Sequence, residues 1–158
     1  MAGIFDANEI FQIAMELEQT GQVFYEALAA GCGNDRVAAL CRRLAKQEVD
    51  HFNTFKAMRQ NLVAGPDVTP LTGEDLDFAQ ALVADRIIPD PDEARRVAAA
   101  GSVNDALDLA IRLEKDSVLF YGGVAKAVGA KNADAIAGIV AEEKRHVRDL
   151  LEARKMFA

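Results

Sequence analysis

The sequence is short of several things at once. Tryptophan is absent, and 158 residues include only two histidines, two cysteines and four prolines. Cys32 and Cys41 stand nine apart and form no Cys-x-x-Cys pair, which excludes a zinc ribbon or a rubredoxin-type iron site within the chain. Two cysteines in an otherwise ordinary acidic chain fit a reducing compartment, where no disulfide is expected. Cationic charge is scarce: 18 Lys and Arg against 25 Asp and Glu give a net charge of −7, the wrong sign for a nucleic-acid partner. No apolar run approaches the ~20 residues of a membrane span. The opening MAGIFDANEIF has neither the basic stretch nor the apolar core of a signal peptide, so a cytoplasmic protein is expected. Alternating Val/Ile/Thr runs bounded by turn residues are missing, which argues against strands.

What is present is helical periodicity. With 51% apolar and 27% charged residues the composition is that of a globular domain. One domain over 1–158 is expected. A first helix opens near Asp6, where Glu9 three residues on completes a capping-box pattern, and stops at Gly31-Cys32-Gly33. Asn34 or Asp35 caps a second, which runs to about Leu62. Ser102 with Asp105 opens a third that ends near Gly129, and a fourth runs from about Asn132 almost to Phe157. Between them, over 63–101, lie all four prolines and two short helix-compatible stretches. This middle has too few apolar residues for a second core and is read as a long crossover. The expected architecture is all-α, a four-helix bundle of two hairpins, 6–62 and 102–157.

The hairpins repeat each other. AMELEQTGQVFYEALAA from Ala14 aligns with AIRLEKDSVLFYGGVAK from Ala110, sharing Leu17/Leu113, Glu18/Glu114, Phe24/Phe120 and Tyr25/Tyr121. Glu48-x-x-His51 matches Glu143-x-x-His146. An internal duplication predicts a pseudo-twofold bundle.

Each helix carries an apolar stripe at spacings of three and four. On the second helix Glu48 and His51 interrupt it, between Leu44 and Phe55. On the fourth Glu143 and His146 do so, between Ile139 and Leu150. Glu18 and Glu114 interrupt the stripes of the first and third. Burying such groups is costly unless something pairs with them. Heights agree as well. With the first turn at Cys32, Glu18 lies 14 residues before it and Glu48 16 after; with the second at Ala130, Glu114 lies 16 before and Glu143 13 after. The mismatches amount to ~3–5 Å at about 1.5 Å rise per residue. All six groups can therefore meet in one layer.

Four carboxylates and two imidazoles match a dinuclear metal site, with carboxylates bridging and one imidazole at each end. This mixture of hard oxygen and borderline nitrogen suits iron or manganese better than a thiolate-loving metal. Chance is a poor rival. With 11 Glu in 158 residues, a given His has about a 7% probability of a Glu three residues before it, and both having one is roughly 0.5%. Tyr25 and Tyr121 each follow one of these glutamates by seven residues on the same face. They read equally as hydroxyl donors to the carboxylates, as one-electron relays, or as core aromatics whose hydroxyl finds some partner. Phe24 and Phe120 read as core, Cys41 as a packed small hydrophobe, and Cys32 as the more exposed thiol. Glu142, off the stripe, reads as solvated, as does the basic run Arg42–Lys46.

Glu-x-x-His on two helices with one Glu on each of the others is the ligand pattern of ferritin-like di-iron bundles. Glu18-x-x-Gly21-x-x-Phe24-Tyr25, Glu114 followed by Phe120-Tyr121, and the two Glu-x-x-His motifs make the chain resemble the rubrerythrin family of that superfamily. The resemblance implies a non-haem centre of two iron ions, or manganese or a mixed pair, held by Glu18, Glu48, His51, Glu114, Glu143 and His146. It implies an oxidoreductase that reduces hydrogen peroxide, or oxidises ferrous iron with oxygen or peroxide, in defence against oxidative stress. It also implies a homodimer. Longer members carry a rubredoxin-like domain that feeds in electrons. Here a separate donor is expected instead, rubredoxin-like or a flavoprotein. Those members also place a second Glu three residues after the third-helix ligand, where this chain has Ser117. The alternatives are an iron-storage role, or a bundle that metal merely staples together.

Overall fold

The computed structural model describes residues 7–63, 102–127 and 129–157, with isolated positions between 73 and 99. Four helices make up the fold: α1 (Ala7–Gly31), α2 (Asp35–Val63), α3 (Val103–Ala127) and α4 (Gly129–Lys155). Among the described residues there is no strand, and no helix is long and apolar enough to cross a membrane.

Local chemistry sets the ends. Asn34 Oδ1 accepts from the backbone N–H of Arg36 and of Val37, both at 3.1 Å, and so caps α2. Gly33 takes φ +64° in the preceding turn, a conformation that costs a residue with a Cβ about 1–2 kcal/mol. Ser102 Oγ accepts from Asp105 N–H at 3.1 Å and caps α3. Asp6, expected to cap α1, lies outside the described residues, and α1 is helical from Ala7. The second reversal is shifted from its expected place. α3 ends at Ala127 and α4 begins at Gly129, so Ala130 and Asn132 are helical. Gly129 and Asn132 read as a stop and a cap, but Ala130 and Lys131 between them are strong helix formers. The shift improves the register. From residue 128, Glu114 is 14 before and Glu143 is 15 after.

The stripes point inward as their spacing requires. Phe11, Ala14, Glu18, Tyr25 and Leu28 of α1 are buried, as are Val37, Cys41, Leu44, Glu48, His51, Phe55 and Met58 of α2. α3 and α4 repeat this from Leu107 to Tyr121 and from Ile136 to Ala153, and among these faces only Gly21 and Ser117 keep partial exposure. The apolar residues divide into two clusters. One joins Leu28 and Val37, near the first turn, to Ala106 and Ala153. The other joins Phe11 and Met58 to Val124 and Ile136, near the second turn. The turns therefore lie at opposite ends of the bundle. α2 finishes at one end and α3 starts at the other, so the connection between them spans the bundle's length. Of the two short helices expected in that crossover, Glu74 and Asp77 of the first and Asp92, Arg95, Arg96 and Ala99 of the second are helical, and the rest lies outside the described residues.

Between the two apolar clusters lies a layer of polar side chains. Burial of the clusters on either side fixes its height.

Candidate metal centre

Each helix contributes to this layer at the point where its stripe is interrupted. Glu18 is 1% exposed, Glu48 5%, His51 3%, Glu114 3%, Glu143 0% and His146 1%. Their ligand atoms form two overlapping groups, Glu18–Glu48–His51–Glu143 and Glu48–Glu114–Glu143–His146, each with atoms within 4.8 Å of one another. Glu48 and Glu143 belong to both groups. Glu18 with His51 completes one, and Glu114 with His146 completes the other. The two imidazoles lie nearly parallel across the layer, ring centres 5.7 Å apart. The six residues singled out in sequence are thus brought together, in the pseudo-twofold arrangement the duplication predicts.

Do these residues fit a metal pair? Seven buried side-chain polar atoms among the described residues have no hydrogen-bond partner. Six are in this layer: Glu18 Oε2, Glu48 Oε1, His51 Nδ1, both carboxylate oxygens of Glu143, and His146 Nδ1. Orphaned groups of this kind are expensive in a dry interior. His51 Nδ1 approaches Glu143 Oε1 to 2.8 Å and Glu18 Oε2 to 3.4 Å, outside hydrogen-bond geometry. His146 Nδ1 stands 3.3 Å from Glu48 and 3.4 Å from Glu114. Nitrogen and oxygen atoms converging without hydrogen bonds between them form a donor set for cations. Oxygen and imidazole donors suit iron or manganese. Two divalent ions would cancel the four carboxylate charges.

The titration properties record the same crowding. Burial, then the Glu18 and Glu114 carboxylates, push the Glu48 carboxyl well above its ordinary range. Burial and Glu143 push Glu114 up to about 8. Burial works against a charge on His51, but the Glu143 and Glu18 carboxylates prevail and raise it to about 11. Glu114 and Glu143 likewise raise His146 to about 9 against its burial. Glu143, flanked by Glu114 and both imidazoles, ends below its ordinary value despite burial. Free of metal, the layer holds protons where a metal would otherwise supply positive charge.

The tyrosines take up one of the readings left open for them. Tyr25 O–H donates to Glu114, and Tyr121 O–H donates to Glu18. Each reaches the glutamate of the other hairpin, not the one seven residues back on its own helix. Burial and these carboxylates raise both phenols well above 10, so they remain protonated donors.

Two further partners escaped the sequence reading. Glu142 is not simply solvated: its Oε2 lies 2.7 Å from His51 Nε2, and its side chain is 38% exposed. Gln47 Oε1 lies 3.1 Å from His146 Nε2. Both residues sit one position before a motif glutamate, about 100° round the helix from the stripe. The duplication was the available signal, since 47 and 142 are equivalent positions of the repeat. Phe24, Phe120 and Cys41 are buried as expected, and Cys32 is half-buried. Both thiols are free, and burial pushes Cys41 up to about 12. Within the basic run, Arg43 pairs with Asp149 of α4 at 2.9 Å.

One pocket opens onto the layer between α1 and α3. Leu17, Gly21, Phe24 and Ser117 line it, with Tyr25, Glu48 and Glu114 at its floor. Its volume of about 20 Å³ exceeds the ~10–15 Å³ that one water molecule requires. Gly21 makes the opening: a Cβ there would stand 2.7 Å from Glu48 Oε2.

The model of a ferritin-like domain family matches residues 6–152. No curated protein matches the chain. Among solved structures, the chain is similar to a Thermotoga maritima protein assigned as ferritin-like and diiron-carboxylate. The TM-score is 0.80 at 24% identity, over 100% of both chains. At that identity the likeness speaks for the fold.

Proposed function

Because the chain belongs to the ferritin-like domain family, we propose that it is a di-iron carboxylate oxidoreductase of rubrerythrin type, acting on hydrogen peroxide or oxygen. The observation that carries this reading is the set of six orphaned donor atoms on residues converging in a buried layer. Glu48 and Glu143 would be shared by the two ions, with Glu18 and His51 on one and Glu114 and His146 on the other. When bound, a pair of ferrous ions supplies one electron each, enough to reduce one peroxide to water.

The chain's own residues do the rest. Tyr25 and Tyr121 hold the terminal carboxylates by their O–H groups and keep the two hairpins in register. The apolar clusters close the layer from both ends, while the pocket at Gly21 and Ser117 admits a molecule of peroxide or oxygen size to Glu48 and Glu114. A rubredoxin-like protein or flavoprotein would return the electrons, and the working form would be a homodimer.

The test is to load the metal-free protein with Fe(II) under anaerobic conditions and compare its oxidation by peroxide and by oxygen. Two irons per chain and rapid oxidation are expected. Glu48→Ala combined with His51→Ala should abolish the pair; retention of two irons would refute the assignment. Large shells holding many irons per chain would indicate storage. A spectrum unchanged by peroxide would indicate a metal that only staples the helices.

A further inference from the structure

The pseudo-twofold layer departs from symmetry in the partners of its histidines. Glu142 of α4 supports His51 of α2 through Nε2, and Gln47 of α2 supports His146 of α4 in the same way. At equivalent places of the repeat, an acid therefore stands against an amide. The difference has consequences for the opposite ring nitrogen. An ionised carboxylate only accepts, so Glu142 holds the proton of His51 on Nε2. The Nδ1 atom, whose proton a cation would displace, then faces Glu18 and Glu143 in the layer at 3.4 and 2.8 Å. A glutamine side chain can accept or donate. Turned the other way, the Gln47 amide would put the His146 proton on Nδ1, pointing into the site.

We infer that Glu142 makes the two halves of the centre unequal, so that the first divalent cation is taken by the His51 half and the second by the His146 half. This rests on the dinuclear reading proposed above. Two effects of Glu142 act together. It locks the His51 tautomer that can bind metal, and it places one more negative charge behind that ring. Removing a hydrogen-bond partner of this kind costs about 10–100-fold in metal affinity. Glu142 is a positioning residue, since it acts through His51 and itself lies at the edge of the layer.

With only two histidines in the chain, the experiment has a simple readout. The metal-free, full-length protein is labelled with nitrogen-15 in histidine and titrated with Zn(II), and the ring nitrogens are followed by NMR. His146→Gln assigns the two rings. Expected is a zinc-induced shift of His51 Nδ1 with the first equivalent and of His146 Nδ1 with the second, the first step at least tenfold tighter. Glu142→Gln should merge the two steps, and Gln47→Glu combined with Glu142→Gln should reverse their order. A purely structural role for Glu142 would leave the order of filling unchanged. Rings that fill together in the native protein, or an order indifferent to Glu142→Gln, would overturn the inference and leave the dinuclear reading standing. Zinc shifts at neither ring would overturn both.

Discussion

Gly21 concentrates the tension between fold and site in one residue. A mid-helix glycine costs about 0.5–1 kcal/mol relative to alanine, yet a Cβ here would press on Glu48 Oε2. The carboxylate is the far end of a flexible side chain, so the fold can absorb the contact cheaply; a metal ligand cannot move as freely. Gly21→Ala should therefore leave the thermal melt of the metal-free protein within about 1 kcal/mol of native stability. Because Glu48 serves both halves, binding of both ions should weaken tenfold or more, as read by calorimetric titration. The tyrosines behave differently. Tyr25→Phe or Tyr121→Phe removes the donor to a buried carboxylate and should cost about 1–3 kcal/mol in urea unfolding. At this scale the sequence was most transparent where a polar residue broke an apolar stripe. That is why Glu18, Glu48, His51, Glu114, Glu143 and His146 could be named without coordinates. Gln47 and Glu142 could not, because an off-stripe residue looks like any solvated one until the neighbouring helix is placed beside it.

Among the helices, the duplicated hairpins are held by different end chemistry. The first reversal is a defined turn, with the Asn34 cap and Gly33 at positive φ. Asn34→Ala should cost about 1 kcal/mol by loss of the cap. Gly33→Ala should cost about 1–2 kcal/mol by forcing a Cβ into the left-handed region. Chemical denaturation of each variant measures both. The caps at Asn34 and Ser102 were legible because their side chains act within three residues. The second reversal was misplaced by about two residues, because glycine and asparagine marked a break that the intervening helix formers overrode. Helix existence and facing followed from periodicity. The exact end depended on packing of the hairpin, which periodicity does not encode. The crossover's placement end to end was legible only indirectly, from the length of the segment between Leu62 and Ser102.

For the whole molecule, the arrangement ties stability, charge and pH together. In the metal-free protein His51 is raised from 6.5 to about 11 and His146 from 6.5 to about 9. A folded-state value above the unfolded one means that the native protein binds the proton more tightly. Their contribution is therefore complete below about pH 6.5 and fades as pH rises through 9 and then 11. Glu114, raised from 4.5 to about 8, acts in the same direction: its contribution is complete below about 4.5 and is lost through pH 8. Glu143, lowered, opposes them only in acid, where its contribution disappears as pH falls through its folded value. Between pH 7 and 10 the metal-free bundle should thus lose stability steadily, as the Glu114 carboxyl and the two imidazoles give up the protons that balance the layer. Metal reverses the sign. Ligands must be deprotonated to bind, so binding releases protons and strengthens as pH rises. Thermal melts at pH 6, 7.5 and 9, with and without saturating Zn(II), should show the metal-free transition falling with pH. The gap between loaded and free protein should widen over the same range. Parallel curves would mean that the buried protons are not displaced by the cation, and that the layer is a hydrogen-bonded polar core instead of a metal site. The net charge of −7 belongs to this balance: more than half of it equals the charge of four carboxylates that never reach the surface.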